Sequence, residues 1–129
     1  MVEKAQTQLA PPQPVALEAI PPAEQAMIPP EGKGCALVLN EDLDGDPVGL
    51  FGSVTGHIRL DGRVLLLAPD TGTAKFQGIW RKYVGKTHMV RLETNETGNG
   101  AWIAVLDPHD RAVYFAPGEL RCRPSVPQR

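Results

Sequence analysis

Apolar and polar residues alternate over short stretches in the part of the chain that follows residue 31. Thr87–Glu93 alternates strictly, which is the period of a β-strand with one buried face, and Ala101–Leu106 is apolar on both faces, as in a central strand. Asp61-Gly62 separates two further apolar runs, His57–Leu60 and Arg63–Leu67. This dipeptide is a strong hairpin signal, because a type I′ turn needs positive φ at both central residues. The pattern predicts antiparallel strands joined by tight turns.

Other apolar runs have similar length, and no stretch free of glycine and proline keeps a helical period over ten residues. The remaining strand candidates are Cys35–Asn40, Val48–Phe51, Lys75–Trp80, Arg111–Phe115 and Glu119–Arg123. About eight short strands at near-regular spacing are typical of an all-β domain. We expect a small antiparallel meander, closed as a barrel or a sandwich, over residues 32–129.

Residues 1–31 differ in composition from the rest of the chain. They hold three Pro-Pro pairs and no aromatic residue, and glycine first occurs at Gly32. Such a sequence has little apolar surface to offset the entropy lost on ordering. We therefore predict a disordered, proline-rich tether with polyproline character. Val15–Ile20 is its most apolar stretch, with two alternatives to a plain tether: a transient helical turn or a segment that docks on a partner.

The two cysteines, Cys35 and Cys122, lie close to the two ends of the predicted domain. Cys35 shares a strand face with Leu37 and Leu39, and Cys122 shares one with Leu120, so both thiols are predicted to face the core. First and last strands are often neighbours when a small sheet closes. We predict a Cys35–Cys122 disulfide, which is typical of an oxidising compartment. The alternative is a pair of reduced, buried cysteines.

The charge of the chain bears on its partners and its location. The formal net charge is −2, which does not favour nucleic acid as a partner, since such proteins usually carry a strong basic excess. No apolar run reaches the length of a membrane span. Met1–Lys4 does not begin a secretory signal. The chain is predicted to be a mature periplasmic or envelope-associated form, tethered near a membrane without spanning it; the alternative is a cytoplasmic protein.

Candidate chemistry is sparse. Asp42, Asp44 and Asp46 alternate in a turn and resemble the start of a calcium-binding loop. Pro47 and Ser53 stand where such a loop needs glycine and a bidentate glutamate, so a solvated acidic turn is the favoured interpretation. The three histidines have no nearby serine or cysteine in a nucleophile motif, and no phosphate or dinucleotide motif is present. We predict a non-enzymatic domain without a metal or cofactor.

One segment combines a small polar loop with aromatic and basic residues. Thr71 and Gly72 belong to the loop, and Lys75, Trp80 and Lys82 follow it closely. Tryptophan and basic side chains near an exposed loop are typical of binding hot spots. The alternative is that Phe76 or Trp80 is an ordinary core aromatic with charged neighbours. These five residues are the predicted partner-binding site.

This layout resembles the small bacterial envelope inhibitors of C-type lysozyme, which are eight-stranded antiparallel barrels with a cysteine near each end. Asp61-Gly62 fits their hairpin, Thr71-Gly72 approximates their Ser-Gly loop, and Trp80-Arg81-Lys82 approximates their aromatic-x-Lys-Gly motif, with Tyr83 in place of its glycine. The resemblance implies that Thr71 and Lys82 reach carboxylates in a lysozyme cleft.

The expected function is therefore a non-enzymatic extracytoplasmic binding domain, an inhibitor of a cell-wall hydrolase. Two alternatives stand beside it. One is a structural accessory subunit whose proline-rich arm wraps a bacterial envelope complex. The other is a cytosolic β-domain of a different role.

Overall fold

Most of the strands in the described chain pair in sequence order around a closed ring. The structure, a computed structural model, describes residues 10–73, 75–76, 78–95 and 100–122, with the backbone alone for 75–76. Its strands are β1 (Cys35–Leu39), β2 (Gly49–Phe51), β3 (Gly56–Leu60), β4 (Arg63–Pro69), β5 (Lys75–Phe76), β6 (Ile79–Trp80), β7 (Lys82–Val84), β8 (Met89–Thr94), β9 (Gly100–Leu106) and β10 (Ala112–Cys122). The helical elements are α1 (Pro22–Gln25) and two 3₁₀ turns, Pro30–Gly32 and Asn40–Asp42.

Eight of these strands form an antiparallel barrel in the order β1-β2-β3-β4-β7-β8-β9-β10, and β10 returns to pair with β1. The predicted all-β meander is thus confirmed, and it closes as a barrel. Asp61 and Gly62 have φ values of 50° and 79° in the turn between β3 and β4, as the predicted hairpin requires. None of the helices in the described ranges is long and apolar enough to span a bilayer.

The interior of the barrel is filled by side chains from all around the ring. Phe51 and Tyr83 have no solvent exposure, and their ring centroids lie 5.1 Å apart. The Tyr83 hydroxyl donates to the carbonyl of Gly52 over 2.7 Å, so this buried polar atom is satisfied. Burial raises the pKa of Tyr83 to about 12. Eight strands enclose a space that side chains can fill, and the core side chains occupy it here.

The predicted disulfide is confirmed. Cys35 and Cys122 are directly opposed in the β1–β10 ladder and are bonded to each other. Leu37 opposes Leu120 in the same ladder, and both face the core as expected from the alternation. The bond therefore lies at the seam where the first and last strands close the barrel.

Two strand predictions differ from the structure. The stretch predicted as one strand, Lys75–Trp80, is split into β5 and β6, which form a separate two-stranded sheet outside the barrel. The two predicted C-terminal strands are one continuous β10, although Pro117-Gly118 is typical of a turn. Pro117 is tolerated because the pairing with β1 begins only at Gly118, so Pro117 has a neighbouring strand on the β9 side alone, like a residue of an edge strand.

Residues 10–31 also differ from the expected tether, because they lie against the barrel. Leu17 forms a bridge with Leu60, and Ile20 and Ile28 are buried on the outer face of the sheet against Leu50. These apolar side chains are few, and each is buried against the barrel. Residues 1–9 lie outside the described part of the chain.

Charged groups fix the same segment. The Arg59 guanidinium donates to the carboxylates of Glu18 and Glu24 over 2.8 and 2.9 Å. The segment also passes so close to the barrel that a Cβ atom at Gly52 would overlap the carbonyl of Glu31. Glycine at position 52 is therefore required by this close approach.

Candidate functional site

The predicted loop projects from the end of β4. The Asp70 carboxylate accepts the backbone N–H of Gly72 over 3.0 Å, and the Asp70 carbonyl accepts the Thr73 hydroxyl over 2.6 Å. These bonds form a turn in which aspartate supplies the local acceptors. Thr71 and Gly72 are exposed at its tip. The loop thus has a defined shape and presents small polar groups to solvent.

Lys82 belongs to the same surface as this loop. The backbone N–H of Asp70 donates to the carbonyl of Lys82 over 2.9 Å, so the base of the loop is joined to the start of β7. The Lys82 ammonium lies 3.7 Å from the Asp110 carboxylate, and the lysine side chain is 21% exposed. The base of the loop that carries Thr71 and Gly72 is therefore joined to the backbone of Lys82 at one edge of the barrel.

A second cation lies beside Lys82. Arg91 of β8 is the cross-strand partner of Lys82, and like charges in directly opposed positions disfavour a sheet. Within the described ranges Arg91 makes no ion pair. A shallow groove of about 360 Å³ runs between this pair and the loop, lined by Asp70, Thr73, Arg81, Lys82, Arg91, Leu92 and Glu93. Such an arrangement suits a ligand that brings carboxylate groups.

Trp80 and Lys75 are placed differently from the other predicted site residues. The Trp80 indole N–H donates to the carbonyl of Ser53 over 3.0 Å, and its ring packs against the core. Its backbone N–H donates to the Tyr83 hydroxyl over 3.1 Å. These contacts favour the structural interpretation of Trp80. The side chain of Lys75 lies outside what the structure describes.

The acidic turn does not form a metal cluster in the described part of the chain. Asp42 belongs to a 3₁₀ turn, and Asp46 accepts a hydrogen bond from the Gln25 amide over 3.2 Å. Among the residues described, no group of three histidine, cysteine or acidic side chains is arranged to hold a metal ion. The turn at Asp42, Asp44 and Asp46 is therefore a weaker candidate site than the loop at Asp70–Thr73.

An aromatic pair on the outer surface was not anticipated from the sequence. Trp102 and Phe115 stack with centroids 5.2 Å apart and planes inclined by 11°, and they are 43% and 61% exposed. The sequence places Trp102 in a strand that is apolar on both faces. In a small barrel one face of every strand points outward. A strand that is apolar on both faces therefore predicts an apolar patch on the outer surface.

Comparison of the chain with family models, with curated proteins and with solved structures finds no match.

Proposed function

We propose that this chain is a non-enzymatic binding domain that recognises a protein partner through the surface formed by Asp70–Thr73 and Lys82. The hydrogen bond from the Asp70 N–H to the Lys82 carbonyl carries the proposal, because it joins the base of the exposed loop to the strand that carries the lysine. Among the described residues Lys82 has one ion-pair contact, 3.7 Å from the carboxylate of Asp110, whose side chain is 59% exposed. A partner carboxylate is able to replace that solvated contact at small cost.

The partner we propose is a cell-wall hydrolase with an acidic catalytic cleft, of the C-type lysozyme class. Thr71 supplies a hydroxyl at the loop tip, and Lys82, whose backbone joins the base of the loop, supplies an ammonium. Together they offer donors to the paired carboxylates that glycosidases use for catalysis. Inhibition then follows because the loop occupies the cleft and the carboxylates are engaged.

The proposed location is extracytoplasmic. It is supported by the Cys35–Cys122 disulfide, since such bonds persist in oxidising compartments and are rare in the cytosol. An accessory-subunit role with an arm wrapped around a larger complex has less support. Leu17, Ile20 and Ile28 are buried on the chain's own barrel and are not presented to another molecule.

The test is inhibition of a C-type lysozyme by the double variant Thr71→Ala with Lys82→Ala. We expect the inhibition constant to rise at least about a hundredfold, since the loss of groups paired with buried charges costs several kcal/mol. The single variant Lys86→Ala is the matched control, because Lys86 is an exposed lysine in the β7–β8 turn, outside this surface. Equal inhibition by the folded double variant and the control would contradict the proposal.

A further inference from the structure

The stacked rings of Trp102 and Phe115 form one wall of a groove on the outer face of β8, β9 and β10. The groove has a volume of about 410 Å³ and is lined by Arg91, Glu93, Trp102, Ala104, Leu106, Ala112 and Phe115. Ala104 lies between Trp102 and Leu106 on β9, in register with Arg91 and Phe115 on the neighbouring strands. Its small side chain leaves the space that the larger residues enclose.

The charged side chains that line this groove have opposite signs. Arg91 offers several N–H donors, and Glu93, two residues along the same face of β8, offers carboxylate acceptors. A ligand that fits both needs donors and acceptors of its own but no net charge. It also needs an apolar face for the aromatic wall.

We propose that this groove binds a neutral pyranose oligosaccharide. The C–H groups on one face of a pyranose ring carry partial positive charge and pack on the negatively charged face of an aromatic ring. Each sugar hydroxyl both donates and accepts, so it pairs with Arg91 and with Glu93. A nucleic acid strand would stack equally well on the rings, but its phosphates need a basic excess, and here a glutamate offsets the arginine.

This site goes beyond the proposed recognition of a hydrolase, and the two surfaces are adjacent. Arg91 and Glu93 line both this groove and the one beside Lys82. A domain that holds a glycan next to its hydrolase-binding loop would be kept where such a hydrolase acts. The two functions remain separable, because Trp102 and Phe115 do not line the groove beside Lys82, and Thr71 and Lys82 do not line the sugar groove.

The test is titration of the full chain with the trimer of β-1,4-linked N-acetylglucosamine and, separately, with cellotriose. The NMR signals of the two indole N–H groups are monitored during each titration. We expect a saturable shift of the Trp102 signal and an unchanged Trp80 signal. Trp102→Ala and Phe115→Ala should each lower the affinity at least about tenfold. Leu66→Ala is the matched control, since Leu66 is 64% exposed on a different face and its loss should leave binding unchanged.

Three results would overturn this proposal. One is the absence of any saturable shift with either sugar. Another is a self-associated chain in sedimentation experiments that Trp102→Ala returns to a monomer, because the groove would then be an interface between copies. The third is loss of lysozyme inhibition in Trp102→Ala without any sugar binding by the native chain, because the groove would then be part of the hydrolase surface. If the double variant Thr71→Ala with Lys82→Ala loses inhibition but keeps sugar binding, and Trp102→Ala keeps inhibition, the two sites are separate as proposed.

Discussion

His57 and Asp107 are polar side chains buried in the described part of the chain, and their polar atoms are satisfied to different degrees. Burial raises the pKa of Asp107, but the backbone N–H groups of Arg111 and His109 and the Arg111 guanidinium outweigh it, and the pKa is lowered overall. His57 Nδ1, in contrast, has no hydrogen-bond partner among the residues that the structure describes. Burial lowers the pKa of His57, so the folded chain favours its neutral form.

The lowered pKa of His57 predicts that the free energy of unfolding depends on pH through this side chain. Its pKa is near 6.5 in the unfolded chain and lower in the folded chain. Below pH 6.5 the unfolded chain therefore binds more protons, and the free energy of unfolding falls as the pH drops towards the folded pKa. We expect His57→Gln to lose less stability than the native chain between pH 7.5 and pH 5.5, measured by urea denaturation.

His109→Gln is the control for that measurement, because His109 is exposed in the turn between β9 and β10. It should keep the pH dependence of the native chain. If His57→Gln and the native chain show the same loss of stability over this interval, the burial of a neutral His57 is not the cause.

At the scale of elements, local signals predicted the strands that lie between clear turns. Asp61-Gly62 specified its hairpin, and the alternation in Thr87–Glu93 specified β8. Failures occurred where tertiary contacts override a local signal. Pro117-Gly118 is typical of a turn, yet β10 continues through it, because β9 pairs with both residues and β1 pairs with β10 from Gly118 onward. The local sequence does not show which strands lie on either side of a residue.

The contacts of residues 10–31 with the barrel were not predicted from the sequence, for a related reason. The average composition of this segment is that of a disordered arm, but three isolated apolar residues meet sites on the barrel that exist only after the barrel forms. Arg59 is equally uninformative in the sequence, although it holds two glutamates of that segment. Composition reports the mean of a segment and cannot report the fit of single side chains.

The docked segment leads to a stability prediction. Ile20 has no solvent exposure, so Ile20→Ala should lower the free energy of unfolding by about 2–4 kcal/mol, as at other buried sites. Met27→Ala is the matched control in the same segment, since Met27 is 82% exposed and its loss should change stability by less than about 0.5 kcal/mol. A mobile tether over residues 10–31 would leave both variants as stable as the native chain.

At the scale of the whole molecule, closure of the ring depends on the pairing of β1 with β10. The Cys35–Cys122 bond joins these strands across a sequence separation of 87 residues. The chain-entropy model assigns about 4–5 kcal/mol to a loop of this length. We expect Cys35→Ala with Cys122→Ala to lower the free energy of unfolding by about 2–5 kcal/mol. An unchanged denaturation midpoint would show that the β1–β10 ladder closes the barrel without the bond.

The candidate site was predictable from the sequence only in part. The loop at Thr71-Gly72 and the lysine at position 82 are close in sequence, and a short turn was enough to suggest that they share a surface. Trp102 and Phe115 lie on different strands, and their stacking depends on the register of β9 with β10. Register is a property of the whole barrel, and for that reason the aromatic groove emerges only from the structure.

Hydrogen exchange of the full chain, alone and with a C-type lysozyme, tests the proposed recognition surface most directly. We predict that the partner slows amide exchange in residues 70–73 and 81–83, and that Lys86→Ala keeps this footprint. The turn at Asp42–Asp46 should exchange equally fast in both states. Protection confined to that acidic turn, or no protection anywhere on the chain, would contradict the proposed surface.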